Sequence, residues 1–193
     1  MTQQHRIFVA VELAPALHQA VVDTQQRLEA AGARVRWIKP ANLHFTLRFL
    51  GEVTPAQVAL AKIATREAVA GASPFTIVLQ RLGAFPSFQR PQVVWIGVSD
   101  GAQEFQALAA RLEERLIHHR FPPSDRPFKP HLTLARIRET RQWGDVVRAL
   151  TQDQDAEAGS MTVDAVVVME SHLSPKGPVY TRLEEVSLSS HEK

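Results

Sequence analysis

The 193-residue sequence contains no cysteine. Disulfides, thiolate catalysis and cysteine-based zinc sites are therefore excluded, and the chain fits a reducing compartment. Long apolar runs are missing as well. The apolar start IFVAVEL at 7–13 is broken by Glu12, and no run approaches the ~20 residues of a membrane span. A basic n-region and a small-residue cleavage site are absent too. A cytoplasmic protein without a membrane partner is the expectation. No Walker-type or dinucleotide glycine pattern occurs, and no H-E-x-x-H. Neither ATP, NAD nor a metal is expected, so no cofactor is assigned. Charge of one sign is scarce: 22 Lys+Arg against 20 Asp+Glu leaves +2, too little to coat nucleic acid non-specifically.

What is present is a repeat. NLHFTLRFLGEV occupies 42–53 and KPHLTLARI occupies 129–137. His44, Phe45, Thr46 and Leu47 recur as His131, Leu132, Thr133 and Leu134, an offset of 131 − 44 = 87. The same offset carries IFVAVEL onto VWIGVSD at 94–100, both with strand alternation. It carries a helical stretch from Pro15 to about Ala31 onto one that begins near 102, capped by Asp100. Thr54-Pro55-Ala56-Gln57 reads as a capping-box helix start, and its image falls in RQWGDVVRAL at 141–150. FTIVLQRL at 75–82 maps onto a single strand, TVDAVVVM at 162–169. The expected fold is therefore α+β: one catalytic domain over 1–193 with two lobes. Its repeats span about 5–82 and 92–170, with a linker at 83–91 and a final strand at about 179–189. A pseudo-two-fold axis would relate the lobes.

Residues i and i+2 of a strand share a face. His44 and Thr46 therefore point one way, Phe45 and Leu47 the other, and His131 and Thr133 repeat this. A two-fold would bring two imidazoles and two hydroxyls around one volume. Two histidines flanking a reacting centre suit general acid–base chemistry near neutral pH. Threonine hydroxyls can donate to charge growing on phosphate oxygens. Both motifs lie among cations. Arg34, Arg36, Lys39 and Arg48 surround the first, with no acid before Glu52. Arg120, Arg126, Lys129, Arg136, Arg138 and Arg141 surround the second, against Asp125 and Glu139. Arginine's planar fork matches phosphate oxygens. Arg48 shares the parity of His44 and Thr46. His5, His18, His172 and His191 have no image at the offset and read as structural or solvated. His118 and His119 suit a helix C-terminus.

NLHFTLRFLGEV, RPFKPHLTLARI and SHLSPKGPVYTRL closely resemble the 2H phosphoesterases. Their wording is that of the RNA 2′,3′-cyclic phosphodiesterase branch, also called 2′-5′ RNA ligase. The resemblance covers nearly the whole chain. It implies two antiparallel sheets facing across a central cleft, with helices outside. It implies hydrolysis of RNA ends bearing a 2′,3′-cyclic phosphate, tRNA fragments among them, by a monomer. A reversible, ATP-independent 2′-5′ joining is implied too. By motif position His44 is the proton donor, His131 the proton acceptor, and Thr46 and Thr133 hold the phosphate. Arg136 is a phosphate contact in this pattern, although strict alternation puts it opposite His131, so that a twist or bulge must turn it inward. Phe128 can stack on a base or anchor its loop in the core. Two other readings stand beside the leading one. One is a 2H enzyme for a small cyclic nucleotide such as an ADP-ribose cyclic phosphate. The other is a non-catalytic RNA-end-binding module.

Overall fold

Alternating and amphipathic stretches become strands and helices in chain order. The computed structural model describes residues 4–33, 35–137, 143–175 and 177–189. Arg34, Arg138, Glu139, Arg141 and His191 lie outside them. The first elements are β1 (His5–Glu12), α1 (His18–Ala30), β2 (Arg36–Trp37), β3 (His44–Val53), α2 (Pro55–Val69) and β4 (Phe75–Ser87). There follow β5 (Arg90–Val98), α3 (Ala102–His118), β6 (His131–Arg136), α4 (Trp143–Gln152), β7 (Glu157–Val163), β8 (Ala165–Ser174) and β9 (Gly177–Ser187). No described helix is long and apolar enough to cross a membrane.

Two helix starts show local chemistry succeeding and failing. At α2 the capping box forms: the Thr54 hydroxyl accepts from Gln57 N–H, and Gln57 Oε1 accepts from Thr54 N–H at 2.9 Å. At α3 Asp100 does not cap. Gly101 takes that position in the left-handed region, at φ 72°. A Cβ there would stand 2.1 Å from the Thr76 carbonyl oxygen, so close approach of the backbone excludes any side chain.

The sheets have strand orders β3-β1-β8-β9 and β2-β6-β5-β4-β7. The seven pairings among the described residues are all antiparallel. β1 and β3 pair, as do β5 and β6, each couple from one sequence half. The next strand in each sheet is exchanged: β8 joins β1, and β4 joins β5. Helices cross as well. α3 packs on β3 and α2, while α1 packs on β7 and α4. Sequence halves and lobes thus differ, because each lobe takes elements from both halves. The expected linker at 83–91 is the tip of the β4–β5 hairpin. Pairing of both arms satisfies its backbone groups, which a free linker would leave to water. The single strand expected at 162–169 is two, β7 and β8, parted at Asp164.

Phe45, Leu132 and Leu134 are fully buried, and Leu47 is buried beside them. Each such side chain contributes about 1.5–3 kcal/mol on burial. A one-residue slip would expose them all, so their burial fixes which face His44, Thr46, His131 and Thr133 present. β3 and β6 approach one another across the sheets.

Candidate active site

Both motif strands carry a bulge at the same place. β1 and β3 pair Val11 with Phe45 and Ala10 with Thr46, then Val9 with Arg48, so Leu47 has no partner of its own. β5 and β6 pair Ile96 with Leu132 and Trp95 with Thr133, then Val94 with Ala135, so Leu134 is the extra residue. The two bulged leucines are 134 − 47 = 87 apart, the motif offset. An extra residue shifts the alternation of everything beyond it. Arg136 therefore enters the cleft beside Thr133. The position 87 residues before it is Phe49, which also lines the cleft.

That parity shift corrects the expectation for Arg48. It lies outside the cavity lining, with Nε 2.9 Å from Glu113 Oε2 of α3 and an N–H donating to Pro122 O at 2.6 Å. Phe128 takes the anchoring alternative. Its ring meets core Phe105 edge-on, centroids 5.4 Å apart.

The histidines are held alike. Nδ1 of His44 lies 2.8 Å from Asn42 O, and Nδ1 of His131 lies 2.6 Å from Lys129 O. A carbonyl oxygen can only accept, so Nδ1 carries the hydrogen and Nε2 is left to gain or lose a proton. Aromatic rings enclose both imidazoles. Phe8 lies 4.8 Å from His44, and Tyr180 meets it edge-on at 5.3 Å. Phe85 meets His131 edge-on at 5.0 Å, with Trp95 at 6.3 Å. The Trp95 indole rests over Gly83, where a Cβ would fall 2.2 Å from the ring.

Burial sets the electrostatics. It lowers the His44 pKa from 6.5 to about 4; the Asn42 carbonyl opposes this, and the charges of Arg136 and His131 add to it. Burial also lowers the His131 pKa, followed by Arg136, against the Lys129 carbonyl. On the protein's own groups both imidazoles are neutral near pH 7. Burial raises the Tyr180 pKa.

His44, Thr46, Thr133 and Arg136 share a cavity of about 670 Å³. His131 is outside its lining, yet its charge acts on His44 and its strand-mate Thr133 is within. Arg6, Arg36 and Lys39 add to the cationic wall, and no carboxylate is among the described lining residues. A smaller cavity of about 250 Å³ touches His44 too, lined in part by Glu12, Tyr180 and Arg182. Sequence reasoning missed Phe49, Arg6 and Tyr180 as site residues. Phe49 was recoverable, being the image of Arg136 at the repeat offset.

The cavity presents one imidazole, two hydroxyl donors and a guanidinium that can meet an anion, with the His131 imidazole two residues before Thr133 on β6. Known proteins share the sequence pattern and the fold. The family model described as the 2′-5′ RNA ligase superfamily matches residues 15–175. The chain is 35% identical over 179 residues to a protein of Methanothermobacter thermautotrophicus named RNA 2′,3′-cyclic phosphodiesterase, covering 93% of this chain and 96% of that one. An Aeropyrum pernix protein of the same name is 38% identical over 159 residues, covering 82% and 89%. The crystal structure of E. coli LigT complexed with 3′-AMP superposes with a TM-score of 0.80 at 25% identity, covering 97% of this chain and all of that one.

Proposed function

This chain belongs to the 2′-5′ RNA ligase superfamily, and on that footing we propose that it hydrolyses RNA 2′,3′-cyclic phosphate ends to 2′-phosphomonoesters. The observation that carries the reading is the pair of His-x-Thr strands. Each has its histidine tautomer set by a carbonyl two residues earlier and its parity reset by the same bulge. Relatives named RNA 2′,3′-cyclic phosphodiesterase support the substrate.

The step uses these groups alone. Nε2 of neutral His131 takes a proton from water as its oxygen attacks phosphorus. The bond from phosphorus to the 3′ oxygen breaks, and Nε2–H of His44 protonates that oxygen. Phosphate stays on the 2′ oxygen. Thr46, Thr133 and Arg136 donate to the non-bridging oxygens as charge gathers there. His44 starts neutral, so it acquires its proton with the substrate: an anionic phosphate beside a buried imidazole raises its pKa. A 5′-hydroxyl in place of water gives a 2′-5′ joined product without ATP. The exposed ring of Phe49 offers a base a stacking face. The protein acts as a cytoplasmic monomer and needs no metal.

The test is incubation of purified protein, with EDTA and without ATP, with an oligoribonucleotide ending in 2′,3′-cyclic phosphate. Chromatography against 2′- and 3′-phosphate standards should show the 2′-phosphate. A 3′-phosphate product would reverse the acid and base roles. Activity that vanishes on chelation and returns with one divalent ion would replace the mechanism.

A further inference from the structure

Arg36 and Arg136 are direct partners across the β2–β6 ladder. Directly opposed residues project from the same face, and like charges so placed repel. Both side chains line the cavity. Among the described residues neither has a carboxylate or hydrogen-bond partner for its guanidinium. A protein could relieve this by letting the two-residue strand β2 drift. Instead the backbone beneath is locked. Gln25 of α1, only 6% exposed, donates its side-chain amide to Ile38 O and to Leu134 O, each at 3.0 Å. Ile38 N–H donates to the same Leu134 oxygen at 2.8 Å. A buried amide thus ties the segment that carries Arg36 to the bulge that turns Arg136 inward. The Arg36 guanidinium reaches the opposite wall: a Cβ on Gly177, the first residue of β9, would stand 3.1 Å from its Nη2. β2 lies one strand, about 4.8 Å, beyond β6 on the side away from β5.

We propose that Arg36, together with Arg136, forms a second anion subsite, which takes a further phosphoryl group of the substrate whose reacting phosphate lies at the His-x-Thr pairs. An anion between the two guanidinium groups removes their repulsion and accepts from both. The inference rests on the proposed phosphodiesterase activity and adds a substrate feature to it. The group has two sources. It is the internucleotide phosphodiester of an RNA end or the 5′-phosphate of a small nucleotide.

Equilibrium titration calorimetry with three ligands tests this. Adenosine 2′-monophosphate carries one phosphoryl group. The dinucleotide ApA ending in a 2′-phosphate adds an internucleotide group, and adenosine 2′,5′-bisphosphate adds a 5′ group. At least one of the two-group ligands should bind roughly tenfold or more tightly than the monophosphate, the value of a charge-assisted contact. Which one gains identifies the source. Arg36→Gln should erase the gain and leave the monophosphate within about twofold. No gain for either ligand overturns the proposal, as does an equal loss for all three in the variant, which would place Arg36 at the reacting phosphate. Absence of turnover on cyclic phosphate ends would instead defeat the catalytic reading, and the affinities would still decide the subsite.

Discussion

β3 and β6 begin alike and end differently. Each opens with a histidine bonded to the carbonyl two residues before it, continues with a threonine on the same face, and bulges at a buried leucine. Beyond the bulge the shared cleft position holds Phe49 on one strand and Arg136 on the other. Their supports differ as well. Gln25 holds the Leu134 bulge by buried hydrogen bonds, whereas α3 meets β3 with Phe105, Leu108, Ala109, Leu112 and Leu116 buried and with the Glu113–Arg48 ion pair just past the Leu47 bulge. Duplication supplies a symmetric pair of histidines. Departure from symmetry sets a guanidinium on one strand against an aromatic ring on the other, with the Arg6 guanidinium over that ring; under the proposed function the first would meet phosphate and the second a base.

The largest test of this comparison removes the proton carriers one at a time. His44→Ala and His131→Ala should each lower kcat by about 10²–10⁴-fold. Their residual activities should differ in pH dependence. Loss of the base flattens the acidic limb, and loss of the acid flattens the alkaline limb. Identical profiles for the two variants would mean that the roles are not divided. Because the limbs belong to a coupled pair, both variants are needed to separate them.

Next in size is a stability effect. The His44 pKa is about 4 in the fold, against 6.5 for a freely solvated imidazole. Between those values the unfolded chain binds a proton that the native state refuses. Stability is therefore intact above pH 6.5 and falls as pH drops toward 4, by up to about 3 kcal/mol. His131 acts in the same direction. Urea unfolding at pH 7.5 and pH 5 should show the loss, and His44→Gln should shrink it. An unchanged pH slope in that variant would show that His44 is not the group held neutral.

The smallest test separates the guanidinium from the ring. Arg136→Gln should weaken inorganic phosphate and nucleotide alike, by roughly tenfold to 150-fold. Phe49→Ala should leave inorganic phosphate unchanged and weaken an adenosine 2′-phosphate ligand, by about 1–3 kcal/mol, the value of stacking on a base. Phe49 is 46% exposed, with the Arg6 guanidinium 4.8 Å over its ring, so truncation leaves the core intact. Equal losses for both ligands in the Phe49 variant would abolish the distinction.

Much of this was legible in the sequence because its causes are local. Alternation in IFVAVEL and HFTL reads as strand, and Thr54 with Gln57 caps a helix through groups three residues apart. The 87-residue offset needs only counting, and it brought out His44, Thr46, His131 and Thr133 together. The failures share a different cause. Arg48 was placed in the cleft by counting along one strand, but parity beyond Leu47 depends on how β1 pairs with it. Asp100 looked like a cap, but backbone from Thr76 crowds the turn and only Gly101 fits.

By itself, then, the sequence determined most of the elements, the duplication and the paired His-x-Thr motifs, since each is encoded by neighbours along the chain. Only the tertiary structure decided that β4 and β8 are exchanged between sheets. It alone decided that Phe49 and Arg136 face the cleft while Arg48 does not, and that Gln25 secures backbone carbonyls 13 and 109 residues away from it. Those outcomes depend on which backbone groups find partners across the sheet, and a hydrogen-bond partner distant in sequence leaves no periodic trace in the chain that meets it.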